Sequence, residues 1–132
     1  DPQKSLFNIA YPSAIAYYYV TVVPAGGDYI FTGNMPNINV FEVSLSVYYD
    51  NGNLKHQRFY KDGNANGKWI HYYENGNILI EGNYNKGIKV GLWITYYENG
   101  QEWTKGDYKN NERSGKWIFY NEDGTVYEKK EY

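Results

Sequence analysis

The apolar residues of this chain alternate with polar ones in short runs, and clusters of Gly, Asn and Lys cut the runs apart. Trp69-Ile-His-Tyr-Tyr73 is β-branched and aromatic, the composition of a strand. Asn75-Gly76 follows. Asn-Gly between apolar runs is a strong hairpin signal, because both residues tolerate a positive φ. Residues 78–84 then read as the return strand, and 85–91, rich in Gly, Asn and Lys, as a loop to the next unit. From residue 48 onward no stretch shows helical periodicity.

The unit returns every 24 residues. Gly52, Gly76, Gly100 and Gly124 keep that spacing, and so do Tyr48, Tyr72, Tyr96 and Tyr120. Gly67, Gly91 and Gly115 follow it, as do Trp69, Trp93 and Trp117, and Tyr60, Tyr84, Tyr108 and Tyr132. Five series with one period and no slip predict a repeat array in which each hairpin stacks on the next. The expected fold is all-β. Residues 48–132 form an elongated antiparallel meander of repeated β-hairpins. Residues 1–47 are a non-repeat β segment that caps its N-terminal edge or ends a preceding β domain.

The repeats also predict which strand face is inside. Ile70 and Tyr72 share one face, and the pair returns as Ile94 with Tyr96 and Ile118 with Tyr120. A face that stays fixed from unit to unit suits a stacked core, so these six residues, with Trp69, Trp93 and Trp117 at the strand starts, are the expected structural core. The opposite face changes between units. It carries His71, Thr95 and Phe119, then Tyr73, Tyr97 and Asn121. Changing positions are free to meet solvent or a partner, which makes His71, Tyr73, Thr95, Tyr97 and Phe119 the candidate binding residues.

The first 47 residues lack the period. Strands are expected near 14–23, 29–32 and 40–48, with turns at 24–27 and 34–36. Asp1-Pro2 has the form of a helix N-cap and first turn, and a short helix from there would end by Pro12. Charge divides the same way: residues 1–47 hold one Lys and three acids, residues 48–132 hold 12 of each sign.

Composition narrows the chemistry. The chain has 132 residues, no Cys and a formal net charge of −2, so disulfides, thiolate metal sites and cysteine nucleophiles are excluded. That balance gives no electrostatic reason to expect nucleic acid as partner. The longest apolar-looking run is too short to span a membrane as a helix. His56 and His71 lack a further His or Cys at ligand spacing, and no Gly-x-Ser-x-Gly or phosphate-cradling loop occurs. Glu74, Glu98 and Glu122 recur at turn starts, where solvated acids are common. Asp62-Gly-Asn64-Ala-Asn66-Gly67 opens like a calcium-binding loop, but its twelfth position is Tyr73 and the needed Glu falls one place late at Glu74. A plain turn is expected there, with no metal and no cofactor.

Gly67-Lys-Trp-Ile-His-Tyr-Tyr-Glu-Asn-Gly76 and its copies at 91–100 and 115–124 resemble the MORN repeat, and more closely the bacterial variant of the YwqK family, labelled antitoxin components. The third copy departs, with Asn121-Glu-Asp-Gly124 in place of Tyr-Glu-Asn-Gly. The resemblance implies an elongated meander with no catalytic residues to carry over. It implies a non-catalytic module that binds another protein or self-assembles, either as an antitoxin- or immunity-like binder or as a structural component of a larger assembly such as a viral particle. The alternative is a module that binds carbohydrate or lipid headgroups through exposed aromatics. The sequence leaves localisation open.

Overall fold

The computed structural model describes the backbone of residues 6–10, 20–21, 30–31 and 42–132, and side chains from residue 44 onward. Its strands are β1 (Leu6–Ala10), β2 (Val20–Thr21), β3 (Ile30–Phe31), β4 (Glu42–Tyr48), β5 (Leu54–Lys61), β6 (Asn64–Ala65), β7 (Gly67–Tyr72), β8 (Ile78–Asn85), β9 (Ile88–Tyr96), β10 (Glu102–Lys109), β11 (Glu112–Tyr120) and β12 (Val126–Glu131). From β4 to β12 each strand turns back on the one before it, and every pairing is antiparallel. The short β6 pairs with β5 beside this path, and β1 adds outside β4 to complete a 10-stranded open sheet. No helix among the described residues is long and apolar enough to cross a membrane.

The N-terminal expectations fare unevenly. β2 and β3 fall within the predicted strands and pair as a separate two-stranded sheet. Residues 6–10, inside the span of the predicted short helix, are instead strand. Leu6-Phe-Asn-Ile-Ala10 alternates well enough to pair in register with β4, from Leu6 opposite Ser46 to Ala10 opposite Glu42. The remaining expectations for this segment, including Asp1-Pro2 and the turns at 24–27 and 34–36, lie outside the described residues.

The turns at the two ends of the sheet differ in kind. At one end the chain reverses in two residues, and the strands run almost into each other. Asp62 and Gly63 have φ of 51° and 79°, Lys86 and Gly87 have 51° and 82°, and Asn110 and Asn111 have 52° and 68°. Two successive positive φ values give the turn whose twist matches the flanking strands. The expected loop over 85–91 is therefore a correction: β8 runs to Asn85 and β9 begins at Ile88. Two surplus residues on β9 go into a bulge near Gly91, with φ of 66°, where the β8–β9 register shifts between Glu81 and Asn83.

At the other end sit the Tyr-Glu-Asn-Gly loops. Here Gly76 has φ of 94°, but Asn75 does not join it in the left-handed region. The paired positive φ expected of Asn75-Gly76 is thus not used. The Gly76 N–H donates to Tyr73 O at 3.0 Å, and the Asn77 N–H to Asn75 Oδ1 at 2.9 Å. This frees the Asn75 amide to reach forward, donating from Nδ2 to Glu98 O at 3.0 Å in the next loop. Asn51 reaches Glu74 O at 3.0 Å and Asn99 reaches Glu122 O at 3.2 Å in the same way. The hydroxyls of Tyr49, Tyr73 and Tyr97 donate to the carbonyls of Tyr72, Tyr96 and Tyr120 at 2.7, 2.7 and 2.9 Å. Each loop is stapled to the next by the same two bonds.

The departure in the third copy falls on these donors. Asn121 stands in the tyrosine position and Asp123 in the asparagine position, and both bond within their own loop to Thr125. Those bonds hold the exposed Asp123 carboxyl below its ordinary pKa.

Candidate functional site

The strand pairing sorts the residues of the sheet onto two faces, since residues directly opposite share a side. One face carries the tryptophans. Trp69 lies opposite Gly82, Trp93 opposite Gly106 and Trp117 opposite Lys130. The glycines leave a floor for the rings. A Cβ on Gly82 would stand 2.0 Å from the Trp93 ring, and one on Gly106 2.3 Å from the Trp117 ring. Only a residue without a side chain permits that approach.

The rings then touch in a continuous spine. Tyr60, Trp69, Tyr84, Trp93, Tyr108, Trp117 and Tyr132 follow one another at centroid distances of 5.4, 4.6, 5.2, 5.9, 5.2 and 6.2 Å. Most contacts are edge-on or tilted, the geometry that ring quadrupoles favour. Two of the five periodic series are thus interleaved into one structure.

Each tryptophan of the spine bears a cation. The Arg58 guanidinium is 4.9 Å from the Trp69 ring, Lys89 Nζ 4.6 Å from Trp93, and the Arg113 guanidinium 4.5 Å from Trp117. Lys130 adds a further contact over Tyr132 at 4.9 Å. Cations over indole are attracted electrostatically, and their aliphatic stems cover the ring. Trp93 and Trp117 are 5% and 2% exposed as a result. With glycine below and a cation above, neither ring offers an open platform for a stacked sugar or base. Between Lys89 and Arg113 lies a hollow of about 70 Å³, floored by Trp93 and Trp117 and edged by the Thr95 and Thr104 hydroxyls and Tyr108. The two hydroxyls are bonded to each other at 2.5 Å.

The candidate binding residues fall on this face or at its rim. His71, Thr95 and Phe119 belong to one cross-strand row, with His56 opposite His71, Ile80 opposite His71 and Thr95, and Thr104 opposite Thr95 and Phe119. Tyr73 and Tyr97 stand in the loops, where their hydroxyls are taken by the next unit. His56 and His71 have ring centroids 5.2 Å apart, and the Arg58 Nε–H donates to His71 Nε2 at 3.3 Å. Burial, then the Arg58, His71 and Lys55 charges, lower the His56 pKa to about 4. Burial and Arg58 lower that of His71 as well. His56 Nε2 is enclosed with no partner.

The opposite face holds the Ile/Tyr pairs. Gln57, Ile70, Glu81, Ile94, Lys105, Ile118 and Lys129 form one row across it. Two of its lysines are paired. Lys68 pairs with Glu81 at 3.2 Å and Lys105 with Glu102 at 3.1 Å, and the Tyr96 hydroxyl donates to Glu81 Oε1 at 2.6 Å. Burial, reinforced by that bond to the carboxylate, raises the Tyr96 pKa.

The depth of the two faces corrects an expectation. Ile70, Tyr72, Ile94, Tyr96, Ile118 and Tyr120 are half-buried, no deeper in class than His71, Thr95 and Phe119. Among the described residues, the fully enclosed large side chains are Leu45, Trp93 and Trp117, all on the tryptophan face. Rings lying flat on glycine roof one another, whereas an isoleucine standing on an open face beside a lysine cannot. The sequence held signals for this that the periodic series above leave out. Gly82 and Gly106 are 24 apart, as are Lys89 and Arg113, and Leu45 sits 24 before Trp69, in the tryptophan place of an earlier unit.

No curated protein matches the chain significantly. The model of the MORN repeat variant matches four times, over residues 43–62, 65–86, 89–110 and 113–132. The first match takes in all of β4 after Glu42, Leu45 included, and the four together cover well over half of the chain, which therefore belongs to the MORN repeat variant family.

Proposed function

We propose that this chain is a non-catalytic binding module that holds another protein against the tryptophan face of its sheet. The observation that carries the reading is the row of three tryptophan–cation rungs, none of whose cations has a carboxylate partner among the described residues. Cations with no carboxylate of their own, Arg58 held by His71 at 3.3 Å and Arg113 by the Tyr132 hydroxyl at 2.7 Å, lie over a rigid aromatic bed and form a surface suited to charge-assisted contacts at little ordering cost. The stapled loops support this, because a stiff array presents its contacts in fixed register. His71, Thr95 and Phe119 then flank the bound partner, with Tyr73 and Tyr97 holding the loops at its rim. The finer role we propose is that of an antitoxin- or immunity-like binder of one protein. Service as a component of a larger assembly uses the same surface repeatedly.

Photo-crosslinking in the source cell tests the reading. A photoreactive residue at Lys116, on the opposite face, and one at Thr95 are compared. One discrete crosslinked protein from Thr95 and none from Lys116 is expected. The same adduct from Lys116 with none from Thr95 removes the tryptophan face as the binding surface.

A further inference from the structure

The two faces differ in charge balance as well as in shape. Among the described strand residues the tryptophan face carries Arg58, Lys89, Arg113 and Lys130 against a single carboxylate, Glu128. From β5 onward the opposite face sets Lys55, Lys61, Lys68, Lys105, Lys109, Lys116 and Lys129 against Glu81, Glu102, Asp107, Glu112 and Glu131, and links two pairs directly. A chain of net charge −2 thus places four cations and one carboxylate on the face that carries its aromatic strip.

The strip has a length scale. Trp69, Trp93 and Trp117 stand on β7, β9 and β11, two strands apart, so the rungs repeat at about 9.6 Å. A polyproline II helix makes one turn in three residues and advances about 9.3 Å in doing so. Residues at every third position therefore point the same way at almost the spacing of the rungs. An ordinary extended strand fails here, because its side chains alternate and every third residue faces away. Aromatic-lined grooves suit polyproline II segments, which enter with little ordering cost. Resting on the proposed function, we infer that the partner contributes an extended acidic segment in the polyproline II form, with a carboxylate at every third residue. Its carboxylates meet Arg58, Lys89 and Arg113 in turn, and its prolines lie against Tyr84, Tyr108 and the half-exposed Tyr132.

Polyanions fit less well. Duplex DNA carries a charge every 1.7 Å or so, far denser than one cation per rung. Glu74, Glu98 and Glu122 line the loop end of the same sheet and would repel a nucleic acid or a flat anionic bilayer.

The full chain is titrated by tryptophan fluorescence with a peptide of four Glu-Pro-Pro repeats and with an isomer of it whose glutamates are contiguous. Oligothymidylate and phosphatidylglycerol vesicles serve as comparison ligands. The spaced peptide binds at least about fivefold tighter than the isomer. Lys89→Gln and Arg113→Gln each weaken it by about two- to fivefold, the range of exposed charge pairs, while Lys105→Gln on the opposite face does not. Equal binding of the two peptides, equal loss in Lys105→Gln, or stronger binding to oligothymidylate or vesicles overturns the inference. If the peptides fail while Thr95 still crosslinks its protein, the inference falls and the binding reading stands. If the crosslink also fails, both fall.

Discussion

The same strands build two faces that solve different problems. On the tryptophan face, glycine at 82 and 106 lets the rings lie down and seal one another, so a sheet one layer thick still encloses Trp93 and Trp117. On the opposite face, isoleucines alternate with charged residues and stay half-buried, held by local ion pairs and the Tyr96–Glu81 bond. The difference teaches that a single sheet makes a core not by hydrophobicity alone but by shape. Both faces carry large apolar side chains on β7, β9 and β11, and only the one with a vacated floor becomes dry.

The largest expected effect strikes that floor. Gly106→Ala places a methyl within the Trp117 ring and should cost about 3 kcal/mol, the upper range of overpacking. Urea unfolding measures it, and tryptophan emission should shift red as the ring lifts. A loss near 0.5 kcal/mol, the level of an indifferent surface change, would mean the ring is not seated on the glycine.

Ile94→Ala is the counterpart on the other face. Half-burial limits its cost to about 1–2 kcal/mol, below the usual range for a fully enclosed isoleucine. A cost equal to that of Gly106→Ala would erase the distinction between the faces.

Acid should single out the first hairpin pair on the tryptophan face. His56 has a folded pKa of about 4 against 6.5 unfolded, so the folded state binds fewer protons between those values. Stability is unaffected above pH 7 and falls as pH drops from about 6.5 toward 4. After discount for partial exposure the loss is roughly 1 kcal/mol. No carboxylate among the described residues faces the pair: β4 offers Leu45 and Val47, β8 offers Ile80, and the nearby charges are Arg58 and Lys55. Urea unfolding of the wild type and of His56→Gln at pH 7 and pH 4.5 should show the loss shrinking in the variant. An equal loss in both places the acid sensitivity elsewhere.

The smallest effect concerns the loops. Tyr73→Phe deletes one hydroxyl bond to the Tyr96 carbonyl and should cost about 0.5–1.5 kcal/mol, the net value of a typical hydrogen bond. Tyr120→Phe, which deletes a hydroxyl without a hydrogen-bond partner among the described residues, should cost less. Should the two be equal, the loop staples contribute nothing to the stiffness of the array.

The sequence by itself determined the all-β meander, its period and the strands on which the tryptophans stand. Spacing alone carries that information, because a hairpin repeat must place like residues alike. It also brought His71, Thr95 and Phe119 onto one face, since alternation along a strand is a local rule. The tertiary structure alone decided which face is dry. Burial depends on what a side chain meets across strands, and Gly82 meeting Trp93 is a contact between neighbouring strands that no single-strand alternation contains. It decided the turns as well. Asn-Gly at 75–76 would suit a two-residue reversal, but the bond from Asn75 to Glu98, in the loop of the next unit, favours the longer form. And it decided the cations, whose placement over the rings follows from register between strands and not from their order along the chain.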